Sequence, residues 1–198
     1  MEFRNEEDLR KLLVSAGINV SGWGHGPTKS VRDLWFEIRE GIATIDKEPL
    51  LRKLSVTQVK IQHGRRILIE VEQELQDGRK RQRNSLPAEK MRPGESCVSA
   101  TTRCLSEEIG VDPQKVEILS SSKNPRRVRA DSSSYPGLST QYTIYTVHAK
   151  VTGLPETDFW TDEQNNAEGD PVRRHRWKWC SELESFSGFV GQNGLEKV

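Results

Sequence analysis

Two adjacent glutamates, Glu107 and Glu108, stand near the end of a segment with helical periodicity, residues 97–109. Residues three and four apart share one face of a helix, so both carboxylates and the side chain of Cys104 are expected to point the same way. A hard cation such as Mg²⁺ takes oxygen ligands, commonly one or two carboxylates completed by substrate phosphates. The pair therefore indicates a divalent-metal site. The common alternative is a solvated acidic edge without a ligand role.

The residues around this pair resemble the Nudix box, G-x5-E-x7-R-E-U-x-E-E-x-G-U, in which U is a bulky aliphatic residue. Seven of its nine fixed positions agree, namely Glu95, Arg103, Leu105, Glu107, Glu108, Gly110 and Val111. The resemblance covers residues 86–111 and includes the entry segment LPAEKMRPGES. It implies a Nudix-like α/β/α sandwich with a mixed sheet. It also implies a hydrolase that uses Mg²⁺ or Mn²⁺ to cleave the diphosphate of a nucleoside diphosphate derivative.

The same resemblance assigns roles to individual residues. It implies that Glu95, Glu107 and Glu108 hold the metal, and that Glu107, Glu108 and Arg103 form the catalytic group. In the family the arginine orients a helix carboxylate through an ion pair, and Glu95 is the expected partner of Arg103 here. Nucleotide specificity in the family lies outside the box, so the resemblance leaves the substrate open.

Basic residues near the proposed site are candidate contacts for substrate phosphates, because the arginine fork binds phosphate through two hydrogen bonds. These candidates are Lys90, Arg81, Arg126 and Arg129. The basic clusters to which the arginines belong could also bind an RNA backbone. The alternative is that they are solvated segments that balance the 29 acidic residues of the chain.

Two positions depart from the box, since Glu89 stands in place of its first Gly and Cys104 in place of a Glu. Glycine serves where the backbone approaches a ligand closely, so Glu89 reshapes the loop or adds a carboxylate. A thiol is a poor ligand for Mg²⁺, and a Glu at position 104 is therefore expected to strengthen metal binding. Two functions stay open: an active pyrophosphohydrolase, or a catalytically inactive Nudix-fold module that binds a nucleotide, RNA or protein.

The remaining sequence supplies the elements that position this helix. Alternating apolar residues predict a strand hairpin that turns at His63 and Gly64, and a long strand over residues 140–151. Residues 115–121 and 173–179 are further strand candidates, and residues 123–137 are expected to form a loop. In the predicted strand RRHRWKW, Trp177 and Trp179 share one face and are interpreted as core residues.

Three parts of the chain are distinguished by composition. They are a small helical N-terminal extension at 1–46, a Nudix-like domain at 50–180 and a flexible tail at 181–198. The extension carries enough apolar residues to be expected to pack on the domain. Its segment GWGHGPTKS resembles a phosphate loop only superficially, because Thr28 replaces the glycine before Lys29.

Composition limits the compartment and the partners. The net charge of +1 over 198 residues does not predict bulk nucleic-acid binding, and no apolar run is long enough to span a membrane. Three cysteines without CxxC spacing, in a sequence without a secretory leader, indicate reduced thiols and a cytoplasmic protein. A nucleotide-type small molecule is the expected partner.

Overall fold

The computed structural model describes residues 3–26, 28–164 and 172–181. The helices are α1 (Glu6–Ser15), α2 (Val31–Arg39) and α3 (Cys97–Ile109), with a single 3-10 turn at Pro113–Lys115. The strands are β1 (Ala43–Lys47), β2 (Leu50–His63), β3 (Arg66–Leu75), β4 (Lys80–Ser85), β5 (Ala88–Lys90), β6 (Val116–Ser121), β7 (Arg126–Asp131), β8 (Ser139–Val151), β9 (Phe159–Asp162) and β10 (Val172–Ser181). No helix in these ranges has the length and apolar character needed to cross a membrane.

The strands form a mixed sheet that bends at the β2–β3 hairpin. On one side of the hairpin, β2 runs parallel to β8 and pairs with β1 and β5 in antiparallel fashion. Strands β6 and β7 pair with the other edge of β8, β7 over residues 139–144 and β6 over residues 147–151. On the other side, β3 lies between β4 and β10, and β9 completes that edge. The predicted mixed α/β fold and the turn at His63 and Gly64 are confirmed.

Helix α3 packs against both parts of this bent sheet. Its residues Cys104, Leu105 and Ile109 enter a core that includes Val59 and Ile61 of β2 and both tryptophans of β10. Trp177 is fully buried and Trp179 nearly so, as the sequence interpretation expected. Burial of side chains of this size stabilises the fold by roughly 1.5–3 kcal/mol each, so the position of α3 is fixed by its apolar stripe.

The N-terminal helices form a second core against the opposite face of the sheet. Leu9 and Leu13 of α1 pack with Trp23, Val31, Leu34, Tyr135 and Leu138. The indole N–H of Trp23 donates to the carbonyl of Pro136 at 3.1 Å. The described part of residues 1–46 therefore packs on the rest of the protein, although β1 already begins at Ala43.

A buried cluster of charges joins this N-terminal unit to the sheet. Glu37 of α2, only 7% exposed, accepts from Arg52 Nη2 of β2 at 2.6 Å and from Lys29 Nζ at 3.5 Å. Lys90 of β5 donates to the same carboxylate. Burial opposes the charge of Glu37, but the three cations outweigh it and lower the pKa of Glu37 to about 2.

Two regions differ from the sequence predictions. The stretch 123–137, expected to be a loop, contains β7, which pairs with β8 over Arg126–Asp131. Four arginines and lysines in its first seven residues hide the strand pattern, because a strand with one face open to solvent needs little apolar content. The predicted tail at 181–198 lies outside the described residues except for Ser181, which ends β10.

Candidate active site

Helix α3 is delimited by its own sequence. Ser96 is the N-cap, and its side chain accepts from the backbone N–H of Ser99 at 3.1 Å. Gly110 ends the helix in the left-handed conformation with a φ of 72°, which glycine adopts without a steric penalty. The glycine of the box is therefore used as a helix C-cap. Between these ends the helix turns one face to the core and another to the entry segment before it.

Arg103 gathers the carboxylates on the outer face of the helix. Its Nε and Nη2 donate to the two oxygens of Glu95 at 3.1 and 3.0 Å, and its Nη1 donates to Glu107 at 3.3 Å. The same Nη1 lies 3.4 Å from Glu89, and Nη2 also donates to the carbonyl of Lys90 at 2.8 Å. Although burial opposes its charge, the bonds to Glu95 and the charges of Glu89 and Glu107 raise the pKa of Arg103. The predicted partnership of Glu95 and Arg103 is thus present, within a larger group.

Glu95 is the most firmly held member of the group. Beyond its two bonds from Arg103, it accepts from the backbone N–H of Arg92 at 2.8 Å. These hydrogen bonds, against a smaller effect of burial, lower the pKa of Glu95. Its carboxylate is therefore occupied with bracing the entry segment against the helix.

Glu89, the first departure from the box, adds a carboxylate to the site. It lies on β5 opposite Thr57, and its side chain is 22% exposed. Burial raises the pKa of Glu89 despite the opposing charge of Arg103, and Glu107 raises it further. Arg103 therefore does not fully offset the cost of burying the Glu89 carboxylate.

Cys104, the second departure, is fully buried in the α3 core. Burial and the charges of Glu108, Glu89 and Glu70 raise the pKa of the Cys104 thiol well above its ordinary value, so it stays protonated. The single face predicted for positions 104, 107 and 108 divides into two. Glu107 lies with Arg103, whereas Glu108 lies with Cys104 on the more buried side.

Glu108 faces a group of residues that the sequence analysis did not identify. His175 of β10 lies between two carboxylates, with Nδ1 2.6 Å from Glu70 of β3 and Nε2 2.9 Å from Glu163. Its own burial disfavours the charge of His175, but the hydrogen bonds that it donates to both carboxylates raise the pKa of His175 to about 10. Arg83 of β4 also binds Glu70, at 3.1 Å.

The group formed by Glu70, His175 and Glu163 influences the pKa of Glu108. Burial, followed by the charge of Glu70, raises the pKa of Glu108 well above its ordinary value, and Glu89 and Glu163 act in the same direction. The charge of His175 opposes them only in part. Burial also acts to raise the pKa of Glu70, but its bonds with His175 and Arg83 prevail and lower it. The surroundings of Glu108 therefore disfavour its charged form.

These donors meet the chemical requirement of a hard divalent cation only in part. Glu89, Glu107 and Glu108 offer oxygen atoms in a region where negative charge is in excess, which favours a bound cation. However, no three acidic, histidine or cysteine side chains in the described ranges converge as a ready-made metal cluster. The residues present fit Mg²⁺ or Mn²⁺ if substrate phosphate oxygens complete the coordination, as is usual for Mg²⁺.

The four side chains predicted to contact substrate phosphates lie in different parts of the structure. Lys90 donates to Glu37, and Arg81 Nε donates to Gln73 at 2.5 Å. Arg126 and Arg129 both lie on β7, where strand alternation directs them to opposite faces. The structure therefore does not bring these four side chains together.

Comparison with known proteins identifies the domain. The family model described as NUDIX domain matches residues 52–186, more than half of the chain. A search of curated proteins gives no match. Among solved structures, a NUDIX hydrolase from Nitrosomonas europaea is 18% identical, with a TM-score of 0.40, over 70% of this chain and 78% of that one.

Two further solved structures are similar at the same level. The E. coli dihydroneopterin triphosphate pyrophosphohydrolase is 14% identical with a TM-score of 0.38, over 67% of this chain and 84% of that one. The C. elegans Ap4A hydrolase is 16% identical with a TM-score of 0.33, over 70% and 98%. Such low similarity says nothing about the substrate of this chain, and the family match alone carries the assignment.

Proposed function

Because this chain belongs to the Nudix family, we propose that it is a divalent-metal-dependent hydrolase that cleaves the diphosphate of a nucleoside diphosphate derivative. The observation that carries the proposal is the position of Glu89. Its carboxylate binds Arg103 and acts electrostatically on both Cys104 and Glu108. The carboxylate added at position 89 therefore lies near position 104, where the carboxylate of the box is missing. The number of acidic groups at the site is preserved.

In this proposal the residues have distinct tasks. Glu89, Glu107 and Glu108 hold Mg²⁺ or Mn²⁺ together with substrate oxygens, and Glu95 keeps Arg103 in place. A bound divalent ion supplies neutralisation of the charge that develops on the phosphate oxygens and activation of water. Arg103 positions Glu89 and Glu107 through its Nη1, so it acts through these carboxylates rather than on the reacting atoms.

The charge network behind Glu108 supports the same task. With His175 protonated between Glu70 and Glu163, two of the buried carboxylates are already compensated. Burial and the neighbouring carboxylates disfavour the charged form of Glu108, and a bound cation would offset that cost.

A second candidate function is supported by Cys104. Its thiol is buried among apolar side chains, and the described ranges hold no preassembled cluster of three ligands. A Nudix-fold module that binds a nucleotide-type molecule or RNA without hydrolysing it would need only the phosphate contacts and not the full metal site.

The two functions are separated by one set of measurements. The protein is titrated with Mn²⁺ and with Mg²⁺ by calorimetry and then assayed with nucleoside diphosphate derivatives for phosphate-containing products. The hydrolase predicts turnover that requires the metal, is abolished by EDTA and is lost in Glu107→Gln/Glu108→Gln. Binding of the same compounds with no turnover in either metal would instead establish the binding module.

A further inference from the structure

A cavity of about 390 Å³ opens beside the entry segment of the box. Its wall is formed by the segment from Met91 to Glu95 and by Gly41 and Ile42. Its floor is formed by strand residues, which are Thr44, Lys53, Leu54, Ser55, Arg127, Gln141, Thr143 and Tyr145. This volume falls in the lower part of the range of small-ligand sites, roughly 300–1,000 Å³. It is suited to one moiety of a substrate rather than to a macromolecule.

Sheet register explains why these floor residues converge. Lys53 pairs with Thr44 of β1 and with Gln141 of β8, and Arg127 pairs with Thr143. Paired residues on neighbouring strands direct their side chains to the same face. The floor is thus the face of the sheet that α3 covers further along, left open where α3 begins. Arg127 points to this face, and its neighbour Arg126 points to the other.

The cavity carries three cationic side chains with unequal compensation. Lys53 is paired with Asp46, and Arg92 Nη2 lies 3.8 Å from Glu107. Arg127 is exposed, and its side chain makes no hydrogen bond or ion pair with any residue in the described ranges. The one carboxylate in the lining, Glu95, is already held by Arg103 through two hydrogen bonds. The cavity is therefore positively charged overall. Among its three cationic side chains, only that of Arg127 lacks an acidic partner in the described ranges.

The same cavity adjoins the carboxylates of the candidate active site. Arg92 lines the cavity and approaches Glu107, and Glu95 lines it while binding Arg103. A substrate whose diphosphate lies against Glu107 and Glu108 would place one of its two end groups in the cavity. That end group would meet a mixture of hydroxyls, one aromatic ring and the guanidinium of Arg127.

We propose that this cavity binds the part of the substrate next to the diphosphate and that Arg127 recognises a phosphate monoester on it. The proposal rests on the proposed function and narrows its substrate class to nucleoside diphosphate derivatives that carry an additional phosphate. The guanidinium fork matches a phosphate through two parallel N–H···O bonds, and Lys53 and Arg92 add positive charge at the rim. The floor offers hydroxyl groups from Thr44, Ser55 and Thr143 as further donors.

The test compares compounds that differ by a single phosphate. Calorimetry in EDTA, which prevents metal-dependent turnover, measures binding of ADP-ribose against 2′-phospho-ADP-ribose, and of dephospho-coenzyme A against coenzyme A. At least one phosphorylated member is expected to bind about ten-fold or more tightly than its partner, since hydrogen bonds to charged groups have strengths of this order. Arg127→Ala is expected to abolish this preference and leave the affinity for the unphosphorylated member unchanged.

Arg126→Ala is the matched control, because it removes the same charge from the adjacent residue of β7 on the opposite face. It is expected to retain the preference. Equal affinity within both pairs, or a preference that survives in Arg127→Ala, would overturn the proposal. Because binding is measured without metal, a protein that shows the preference but no turnover with Mg²⁺ would refute the hydrolase while leaving the phosphate site intact.

Discussion

The charge of Glu89 acts on the buried thiol of Cys104, which makes the two departures from the Nudix box neighbours in space. They are separated by fifteen positions in the sequence, yet Glu89 lies 3.4 Å from Arg103, the residue next to Cys104. Under the proposed function the box is rearranged rather than depleted, since β5 would supply the carboxylate that α3 lacks.

The first test is a double-mutant cycle at positions 89 and 104. Glu89→Gln is expected to lower metal affinity and turnover on the order of 10- to 100-fold, the range typical of loss of a group that supports a metal site. Cys104→Glu in the Glu89→Gln background is expected to recover part of the loss. Cys104→Glu alone adds a buried carboxylate beside Glu70, Glu89 and Glu108, so it is expected to destabilise the fold.

Mn²⁺ titration, turnover and urea unfolding of the four proteins check this cycle. No loss in Glu89→Gln, or no recovery in the double variant while it remains folded, would show that Glu89 does not substitute for the missing glutamate.

Arg103→Lys is expected to weaken metal binding about 10- to 100-fold, because a lysine keeps the charge but cannot contact Glu95 and Glu107 through a planar fork. Calorimetric titration with Mn²⁺ measures the effect. Arg39→Lys, on the surface of α2 with a side chain 52% exposed, is the control and is expected to leave metal affinity unchanged. A comparable loss of affinity in both variants would contradict the positioning role of Arg103.

Glu37→Gln is expected to reduce the free energy of unfolding by about 3 kcal/mol at pH 7, since it leaves Arg52 and Lys90 without their counter-charge. The pKa of Glu37 is lowered to about 2 in the folded protein, so its stabilising effect is fully present above its ordinary pKa of 4.5. The difference between wild type and variant is expected to shrink as the pH falls from 4.5 towards 2.

Urea unfolding at a series of pH values measures this difference. Glu40→Gln, which removes an exposed glutamate just after the same helix, is expected to change stability by no more than about 1 kcal/mol. A Glu37→Gln effect that is equally large at pH 2.5 and pH 7 would argue against the ion cluster.

His175→Gln is expected to destabilise the protein. This effect decreases as the pH rises, whereas the effect of Glu37→Gln decreases as the pH falls. The pKa of His175 is raised from 6.5 to about 10, so its charge stabilises the folded state fully below pH 6.5. This contribution is lost as the pH rises through about 10. Unfolding of wild type and His175→Gln between pH 6 and pH 10 measures the difference, and a difference that grows with pH would refute the protonated bridge between Glu70 and Glu163.

The parts of the site that lie close together in the chain were accessible from sequence. Glu95, Arg103 and Glu107 are brought together by one helix and its entry segment, and the family resemblance was enough to predict the contact between Glu95 and Arg103. His175 and Glu70 are 105 residues apart and meet only because β10 pairs with β3. Glu70 directly follows three apolar residues, Ile67, Leu68 and Ile69, and this was a local sign of that buried group.

The face on which each arginine lies also depended on structure. The cluster at 126–129 was identified as basic, but its side chains could not be assigned to faces until β7 was known to be a strand in register with β8. Arg127, which was not among the predicted contacts, lines the cavity, whereas Arg126 points to the other face. A cluster of arginines in a sequence predicts a basic surface. Strand pairing determines on which face of the sheet each arginine lies.

The Glu37 cluster has a consequence for how this protein can evolve. The carboxylate comes from α2, and two of its three cations come from β2 and β5, so a mutation on either side leaves buried charge unmatched. Lys90 also follows Glu89 directly in the chain. Mutations in the N-terminal helices that affect Lys90 are therefore expected to affect the candidate site as well. Homologues that exchange their N-terminal segments by recombination between α2 and β2 are therefore expected to lose fitness unless Glu37, Arg52 and Lys90 are inherited together.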